Sequence, residues 1–418
     1  MDILIITPFY APDFGPSAPL FTQLSSVLAQ RGHRVTVIAA VPHYPSGKVL
    51  PEYKGKWIRN SVENGVKVIR VAVPSLDRSN FKNRLLQFIC YQIGATCASL
   101  FQRYDVALVT NPAIETWLPF AWQVLFRRKP VLFSVFDVYP NVGIKLGIFK
   151  NKLIIVAVTS LERFCLKRSA SIQVISDSFR PGVRALGVPD SKIDLVYLWV
   201  DTDQLKPITY QNSFASEQNL NGKYVVLYAG NIGLSQGLEH VLTAAELLAD
   251  QNDVQFVFVG DGAGRELLQT QAKQRQLSNV QFVPFQPRER LPEVLASADA
   301  MLVILRRGIS TDSLPSKTFS ALASGRPIIA SVDEESETWK LIKRAEAGLC
   351  CPPEDPARLA ETILSLKQDK NLGTLLGRNG RLYAEKNHSV LSAAEQFEKL
   401  FIKSCSVHPS PTHSTNPT

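Results

Sequence analysis

The sequence predicts an α/β protein built from two doubly wound, parallel-sheet domains. Three observations predict it. Short β-branched apolar runs alternate with stretches of helical periodicity along most of the chain. A polar stretch without periodicity, 201–222, interrupts that alternation, and the pattern restarts at Tyr224. Continuous apolar runs suit strands buried on both faces, and strand–helix–strand repetition makes the sheets parallel. A chain of 418 residues, 45% of them hydrophobic, can fill two cores of ordinary size.

In chain order, Ile3–Thr7 is the first strand. The loop Pro8–Pro19 follows, then a helix over Leu20–Arg31 stopped by Gly32, then a strand over Val35–Ala40. Val66–Val73, Asp105–Val109, Val131–Phe136, Ser171–Ile175 and Ile193–Tyr197 supply the other strands of the first sheet. Leu85–Phe101, Trp117–Phe126 and Leu153–Arg168 read as helices between them. Leu85–Phe101 is apolar but only 17 residues long, and it carries Gln87, Gln92 and Thr96. That is the lower limit for a membrane span, so it reads as a helix buried in the core or lying in a membrane interface.

The second set of strands is Tyr224–Tyr228, Val254–Val259, Val280–Val283, Ala300–Leu305 and Ile328–Ser331. Helices over Leu238–Ala249, Gly264–Arg275, Leu291–Ala296 and Ser316–Ala323 alternate with them. Two last helices are expected near 357–368 and 371–402. The predicted organisation is a domain over 1–200, a domain over 201–387, a C-terminal helix over 388–405 returning to the first domain, and a disordered Pro/Ser/Thr-rich tail, 406–418.

A formal net charge of +9 favours an anionic partner, either phosphates or a lipid headgroup surface. Nucleic acid is not expected, because no zinc-finger spacing, RNP-type strand or long basic arm is present. The six cysteines are irregularly spaced and form no CxxC pair, which suits reduced, buried thiols. Met1–Tyr10 lacks the basic region and cleavage site of a signal peptide and reads as a buried strand. No histidine lies between His43 and His240 and no HxxxH pattern occurs, so neither a hydrolase triad nor a metal site is expected, and no cofactor.

In open parallel sheets, ligands bind outside the C-terminal ends of the strands. Four segments lie there. The loop Pro8–Pro19 holds Gly15, and the run Tyr228–Leu238 holds Gly230, Gly233 and Gly237. Gly260-Asp261-Gly262 follows a strand, as does Ser310–Lys317, which leads into a helix. Glycines before a helix let backbone N–H groups approach phosphate, although ordinary tight turns use the same residues. Lys317 falls in the first helical turn, where a cation opposes the macrodipole at a cost of a few tenths of a kcal/mol, and a bound diphosphate reverses that sign. Asp137 ends a strand, suited to orient or deprotonate a hydroxyl or simply to cap a turn.

Several of these segments together resemble the retaining glycosyltransferases of family 4, with the GT-B fold, and in particular the WcaI/WbuB-like subgroup of exopolysaccharide and O-antigen biosynthesis. The marks are Arg31-Gly32-His33-Arg34-Val35-Thr36-Val37, His43-Tyr44-Pro45, Phe136-Asp137-Val138-Tyr139-Pro140, Trp199-Val200-Asp201, Tyr228–Gly233, and Leu314-Pro315-Ser316-Lys317 with Gly325-Arg326-Pro327. The resemblance implies two Rossmann-like domains facing across a cleft. It implies a nucleotide diphosphate sugar, taken as UDP-linked, bound by the second domain, and a glycan or polyprenyl-diphosphate-linked acceptor bound by the first. It also implies hexosyl or N-acetylhexosaminyl transfer with retention and without a metal, and a peripheral place on the anionic inner face of the plasma membrane.

Residues and resemblance together nominate Asp137 and Lys317 as catalytic. The donor set is Gly230, Asn231, Gly233, Gln236, Gly260, Asp261, Asp312, Ser316 and Lys317; the acceptor or cleft loop is Phe14, Gly15, Pro16, His43 and Tyr44. The sequence departs from the family pattern in four places. Asp312 and Ser320 stand where many members have an E-x7-E pair, and Leu234-Ser235-Gln236-Gly237 lacks the usual Arg and Lys. Arg265, Arg306 and Arg307 are candidates to replace those cations. Leu198 replaces a common Asn, and Asp137 occupies the strand-end region of the usual first-domain His. Two other readings therefore stay open: a non-catalytic nucleotide-sugar-binding subunit of a glycan assembly complex, and a nucleotide-sugar epimerase of the same double-domain shape.

Overall fold

A computed structural model of the chain describes residues 1–13, 15, 17–78, 80–140, 151–233, 236–309 and 314–407. Phe14, Pro16 and Asp312 of the candidate sites, and the tail beyond Val407, lie outside the described residues. The chain forms two compact units, Met1–Tyr197 together with the segment from Ala393 onward, and Leu198–Ser392.

The first unit carries β1 (Asp2–Ile6), α1 (Ala18–Gln30), β2 (Arg34–Ala40), β3 (Ile58–Glu63), β4 (Val66–Val71), α2 (Phe81–Ser99) and β5 (Val106–Thr110). Then come α3 (Ala113–Ala121), β6 (Val131–Val135), α4 (Lys152–Arg168), β7 (Ser171–Val174) and β8 (Ile193–Leu195). Among the described residues the sheet order is β3-β4-β2-β1-β5-β6-β7-β8. β3 runs antiparallel to β4, and the other pairs are parallel. Every residue of β5, β6 and β7 is buried, which is why those strands read as unbroken apolar runs. β3 escapes a reading by apolar runs because, as an edge strand, it alternates exposed and half-buried residues.

Helices α2 and α3 are locked by one side chain. The Gln92 amide donates to the Ile114 carbonyl at 3.1 Å and accepts from the Leu118 N–H at 2.9 Å. It thereby holds the α3 backbone at both members of an i, i+4 pair, one residue before Pro119. Gln87 is buried too, donating to the carbonyls of Gly47, Pro74 and Leu76. The segment 117–126, read as one helix, ends in a π-helical turn over Trp122–Phe126.

The second unit carries β9 (Tyr224–Ala229), α5 (Glu239–Leu247), β10 (Val254–Val259), α6 (Arg265–Gln274), β11 (Val280–Val283), β12 (Ala300–Ile304) and α7 (Lys317–Ser324). It continues with β13 (Ile328–Ser331), α8 (Glu337–Ala345), β14 (Gly348–Cys351), α9 (Pro356–Gln368) and α10 (Lys370–Asn387). Its sheet, in the order β11-β10-β9-β12-β13-β14, is parallel throughout the described residues. Helix α8 and strand β14 are additions to the sequence reading. A Ser336 side chain accepting from Trp339 N–H at 3.1 Å caps α8, a signal the sequence did carry.

The helix expected over 371–402 is two helices, α10 and α11 (Val390–Val407). The break falls at His388–Ser389, where the His388 carbonyl accepts from Val200 N–H at 2.8 Å and Ser389 bridges Val200. From Ala393 on, α11 belongs to the first unit. It is anchored there by a forked Arg31–Glu398 pair at 2.7 and 2.8 Å, by His33 at 2.9 Å, and by Lys403–Asp194 at 2.8 Å. Arg31 and His33 hold the Glu398 carboxyl down to about 2. The helix runs to Val407, so residues 406 and 407 of the expected tail are helical.

Gln92→Leu should destabilise the first unit by about 1–3 kcal/mol, since it removes two buried side-chain to backbone hydrogen bonds at once. Denaturant unfolding measures this, and an unchanged midpoint would remove Gln92 as the α2–α3 lock.

Candidate active site

The C-terminal ends of β9 and β10 in the second unit are joined by their loops. Gly230 N–H donates to Val259 O at 2.9 Å, Ile232 N–H to Asp261 O at 2.8 Å, and Gly264 N–H to Ile232 O at 2.9 Å. The approach is so close that a Cβ on Gly260, whose φ is +141°, would sit 2.0 Å from Gly230 O. Only glycine is compatible with that contact. Gly262, at φ +151°, is packed the same way against Ile232 O. The Gly233 N–H is taken by Gln236 Oε1 at 2.9 Å, and the Gly262 N–H by Asp261 Oδ1 at 2.8 Å.

These hydrogen bonds change the role of the glycine loops. The N–H groups of Gly230, Gly233, Gly260 and Gly262 all point to protein acceptors, so they do not form an open phosphate cradle. The loops form a braced shelf with a neighbour packed on it. That neighbour is Lys317. Its Cε and Nζ lie 3.6 and 3.7 Å from where a Gly230 Cβ would stand.

Lys317 opens α7 and Ser316 precedes it, without a side-chain capping bond. The Lys317 ammonium lies 3.8 Å from the Tyr228 ring centroid and donates to the Tyr228 hydroxyl. That hydroxyl donates in turn to Asn231 O at 2.6 Å. Desolvation alone pushes Lys317 down to about 7, and burial pushes the Tyr228 hydroxyl up. Among the described residues no carboxylate pairs with Lys317. The other candidate cations are already engaged. Arg306 pairs with Glu239, Arg307 lies 3.9 Å from Glu354, and Arg265 donates to Gly260 O at 2.9 Å.

In the first unit, buried Asp13 organises the loop after β1. Its Oδ1 accepts from Gly15 N–H and Tyr44 N–H, both at 3.2 Å, and its Oδ2 from His43 N–H at 3.1 Å. His43 Nδ1 lies 2.9 Å from Val41 O and its Nε2 3.0 Å from Arg78 Nη1. An acceptor on one side and a donor on the other fix a neutral, Nδ1-protonated ring, and burial lowers its pKa. His43 is therefore a holder of Arg78, not a free base. Arg78 is further enclosed by the rings of Phe9, Tyr44 and Phe88. The sequence reading named Gly15, His43 and Tyr44 but missed Asp13 and Arg78, which bind them together.

Asp137 lies two residues past β6, which ends at Val135 and not at Phe136. Its carbonyl accepts from the Asn111 amide, and Asn111 Oδ1 accepts from Phe136 N–H at 2.8 Å. The carboxyl reaches solvent, yet the surrounding protein displaces enough water to raise it to about 6. Buried Glu115 and Glu162 are raised by desolvation to about 7 and about 8. Glu162 accepts from Ala113 N–H at 2.6 Å, at the start of α3.

Residues 210–383 match the family described as "Glycosyl transferases group 1", and residues 17–199 match "Glycosyl transferase 4-like domain". Both halves of the chain thus carry glycosyltransferase domains, and the chain is a glycosyltransferase. It is 26% identical over 373 residues to WcaI of Escherichia coli K12, named as a colanic acid biosynthesis glycosyl transferase, covering 87% of this chain and 91% of that one. It is 27% identical over 375 residues to WbjE of Pseudomonas aeruginosa, named as a glycosyltransferase, covering 84% and 90%. Its fold is that of sucrose-phosphate synthase from Thermosynechococcus elongatus, with a TM-score of 0.73, 17% identity and coverage of 97% and 99%. It is also that of Anabaena HepE solved with UDP-glucose, with a TM-score of 0.69, 14% identity and coverage of 96% and 99%. The two parallel-sheet units of this glycosyltransferase are thus a GT-B pair.

A lysine held near neutrality by desolvation regains its proton when an anion arrives. Binding of UDP at pH 8 should therefore be accompanied by proton uptake, seen by calorimetry in buffers of different ionisation enthalpy. Lys317→Met should abolish the uptake. Buffer-independent heats in the wild type would contradict this role.

Proposed function

We propose that this glycosyltransferase moves a hexosyl or N-acetylhexosaminyl group from a UDP-linked sugar to a glycan or polyprenyl-diphosphate-linked acceptor, with retention, in surface polysaccharide assembly. The observation that carries the donor half is Lys317, a desolvated cation without a carboxylate partner among the described residues, set against Gly230 at the end of a parallel strand. As the glycosidic bond breaks, negative charge grows on the leaving diphosphate. The ammonium supplies the compensating charge there. The solved relative with UDP-glucose supports a uridine nucleotide, and the name of WcaI supports a polysaccharide product.

In this reading the second unit, roughly 201–387, binds the donor, and the first binds the acceptor. Asp137, raised to about 6 and open to solvent, orients the acceptor hydroxyl and takes its proton. The neutral His43 and the Asp13 turn keep Arg78 in place nearby in the chain's first unit. The acceptor, carried by lipid, brings the enzyme to the inner face of the plasma membrane as a peripheral protein.

Lys317→Ala should lower turnover at least about tenfold, while unfolding midpoints stay near those of the wild type. Wild-type turnover in that variant would remove Lys317 from the mechanism. Because an Asp137 raised to about 6 works only when ionised, the rate should fall as pH drops through about 6. Asp137→Asn should be slow at every pH. UDP-sugar binding without hydrolysis or transfer on any acceptor would favour the non-catalytic subunit instead.

A further inference from the structure

Helix α2 is inside out. Beyond its first turn its polar side chains are turned inward: Gln87 is buried, Gln92 bridges the α3 backbone, and the Thr96 hydroxyl returns to Gln92 O at 2.7 Å. Its outward side chains are apolar. Leu86, Ile89 and Ile93 are 46%, 44% and 52% exposed, and Leu85 and Phe81 stand beside them. At 19 residues the helix is about 28 Å long, and this stripe, Phe81 to Ile93, covers about two thirds of it. Water does not favour such an arrangement, since each of these aliphatic chains forgoes about half of its burial.

The neighbouring helices extend the same face. Gln92 ties α2 to α3, and the Glu162–Ala113 bond and the Trp117–Phe164 contact tie α3 to α4. Phe126, at the end of the π turn, is 68% exposed, and Leu153 and Val156 on α4 are 78% and 63% exposed. The Trp122 indole stacks on Phe126 and its buried N–H lacks a protein acceptor. Such rings suit the boundary between headgroups and acyl chains.

The charge on these elements has one sign at the surface. Along α2, α3, the π turn and α4 the acidic residues are Glu115 and Glu162, and both are buried. Cations stand at both ends of the helices: Lys82 and Lys152 at their starts, and Arg128, Lys167 and Arg168 at their far ends, all exposed. An apolar stripe framed by exposed cations, without exposed carboxylates on these helices, is complementary to an anionic bilayer. No helix among the described residues is long and apolar enough to cross a membrane.

We infer that the α2–α3–α4 face docks flat on an anionic phospholipid surface, with α2 sunk to the headgroup–acyl boundary. This rests on the proposed function only in that a lipid-borne acceptor gives the docking a purpose; the binding itself does not require turnover.

Vesicle co-sedimentation of the full-length chain tests it. The wild type should pellet with vesicles of phosphatidylcholine mixed with phosphatidylglycerol, less with phosphatidylcholine alone, and less as salt rises. The triple variant Leu86→Asp, Ile89→Asp, Ile93→Asp should bind the anionic vesicles at least about tenfold more weakly. Its circular dichroism and UDP binding should remain those of the wild type, which keeps the loss from being a folding defect. The same comparison should hold for Lys82→Glu with Lys152→Glu, a milder pair. A wild type that stays in the supernatant would overturn the inference. So would a triple variant that binds as well as the wild type, or a wild-type dimer that the triple variant converts to monomer. Vesicle binding together with failure to use any lipid-linked acceptor would leave the docking face standing and remove only the acceptor assignment.

Discussion

A buried lysine without a carboxylate partner among the described residues is the constraint on which the candidate site of the second unit depends. Lys317 packs on the Tyr228 ring and hydroxyl, and desolvation lowers its pKa to about 7. Burying an unpaired ammonium costs stability, and structures tolerate that cost chiefly where a ligand supplies the missing charge. The lysine packs against Gly230, and Gly260 lets the β9 and β10 loops touch backbone to backbone. A Cβ at Gly260 would collide with the Gly230 carbonyl, whereas Gly230 is required by its φ of +139°.

The first unit solves a different problem, that of holding a loop still without regular structure. Asp13 does it with three backbone N–H groups, and the neutral ring of His43 extends the order to Arg78. Carboxyls raised toward or above neutrality cluster in this unit: Asp137 near the strand ends, Glu115 on α3 and Glu162 on α4. Only Asp137 among these three reaches solvent, while Glu115 and Glu162 are buried.

Much of the fold was legible in the sequence, because strands buried on both faces leave apolar runs that helices then separate. The elements that escaped had other physics. Ile58–Glu63 is an edge strand with a half-wet alternation, and Gly348–Cys351 is only four residues long. The break at His388 comes from a partner, Val200, nearly two hundred residues away, and no local pattern encodes it. At the site, the glycines and Lys317 were legible from their strand-end positions, but their roles were not. The glycine N–H groups looked like phosphate donors and proved to be occupied by Val259, Asp261 and Gln236. Asp13 and Arg78 went unnoticed because a turn-bracing aspartate and a ring-caged arginine look ordinary until the loops meet. Gln87, Gln92 and Thr96 counted against a membrane span, whereas their inward direction turns the same helix's apolar side outward.

The central claim, that Lys317 is a desolvated ammonium awaiting an anion, is tested most directly by a side-chain NMR titration of Lys317, assigned by its loss in Lys317→Met. The free enzyme should show a lysine titrating near 7, moving well upward when UDP is bound. A lysine that titrates near 10 in the free enzyme, and does not move with UDP, would contradict the account.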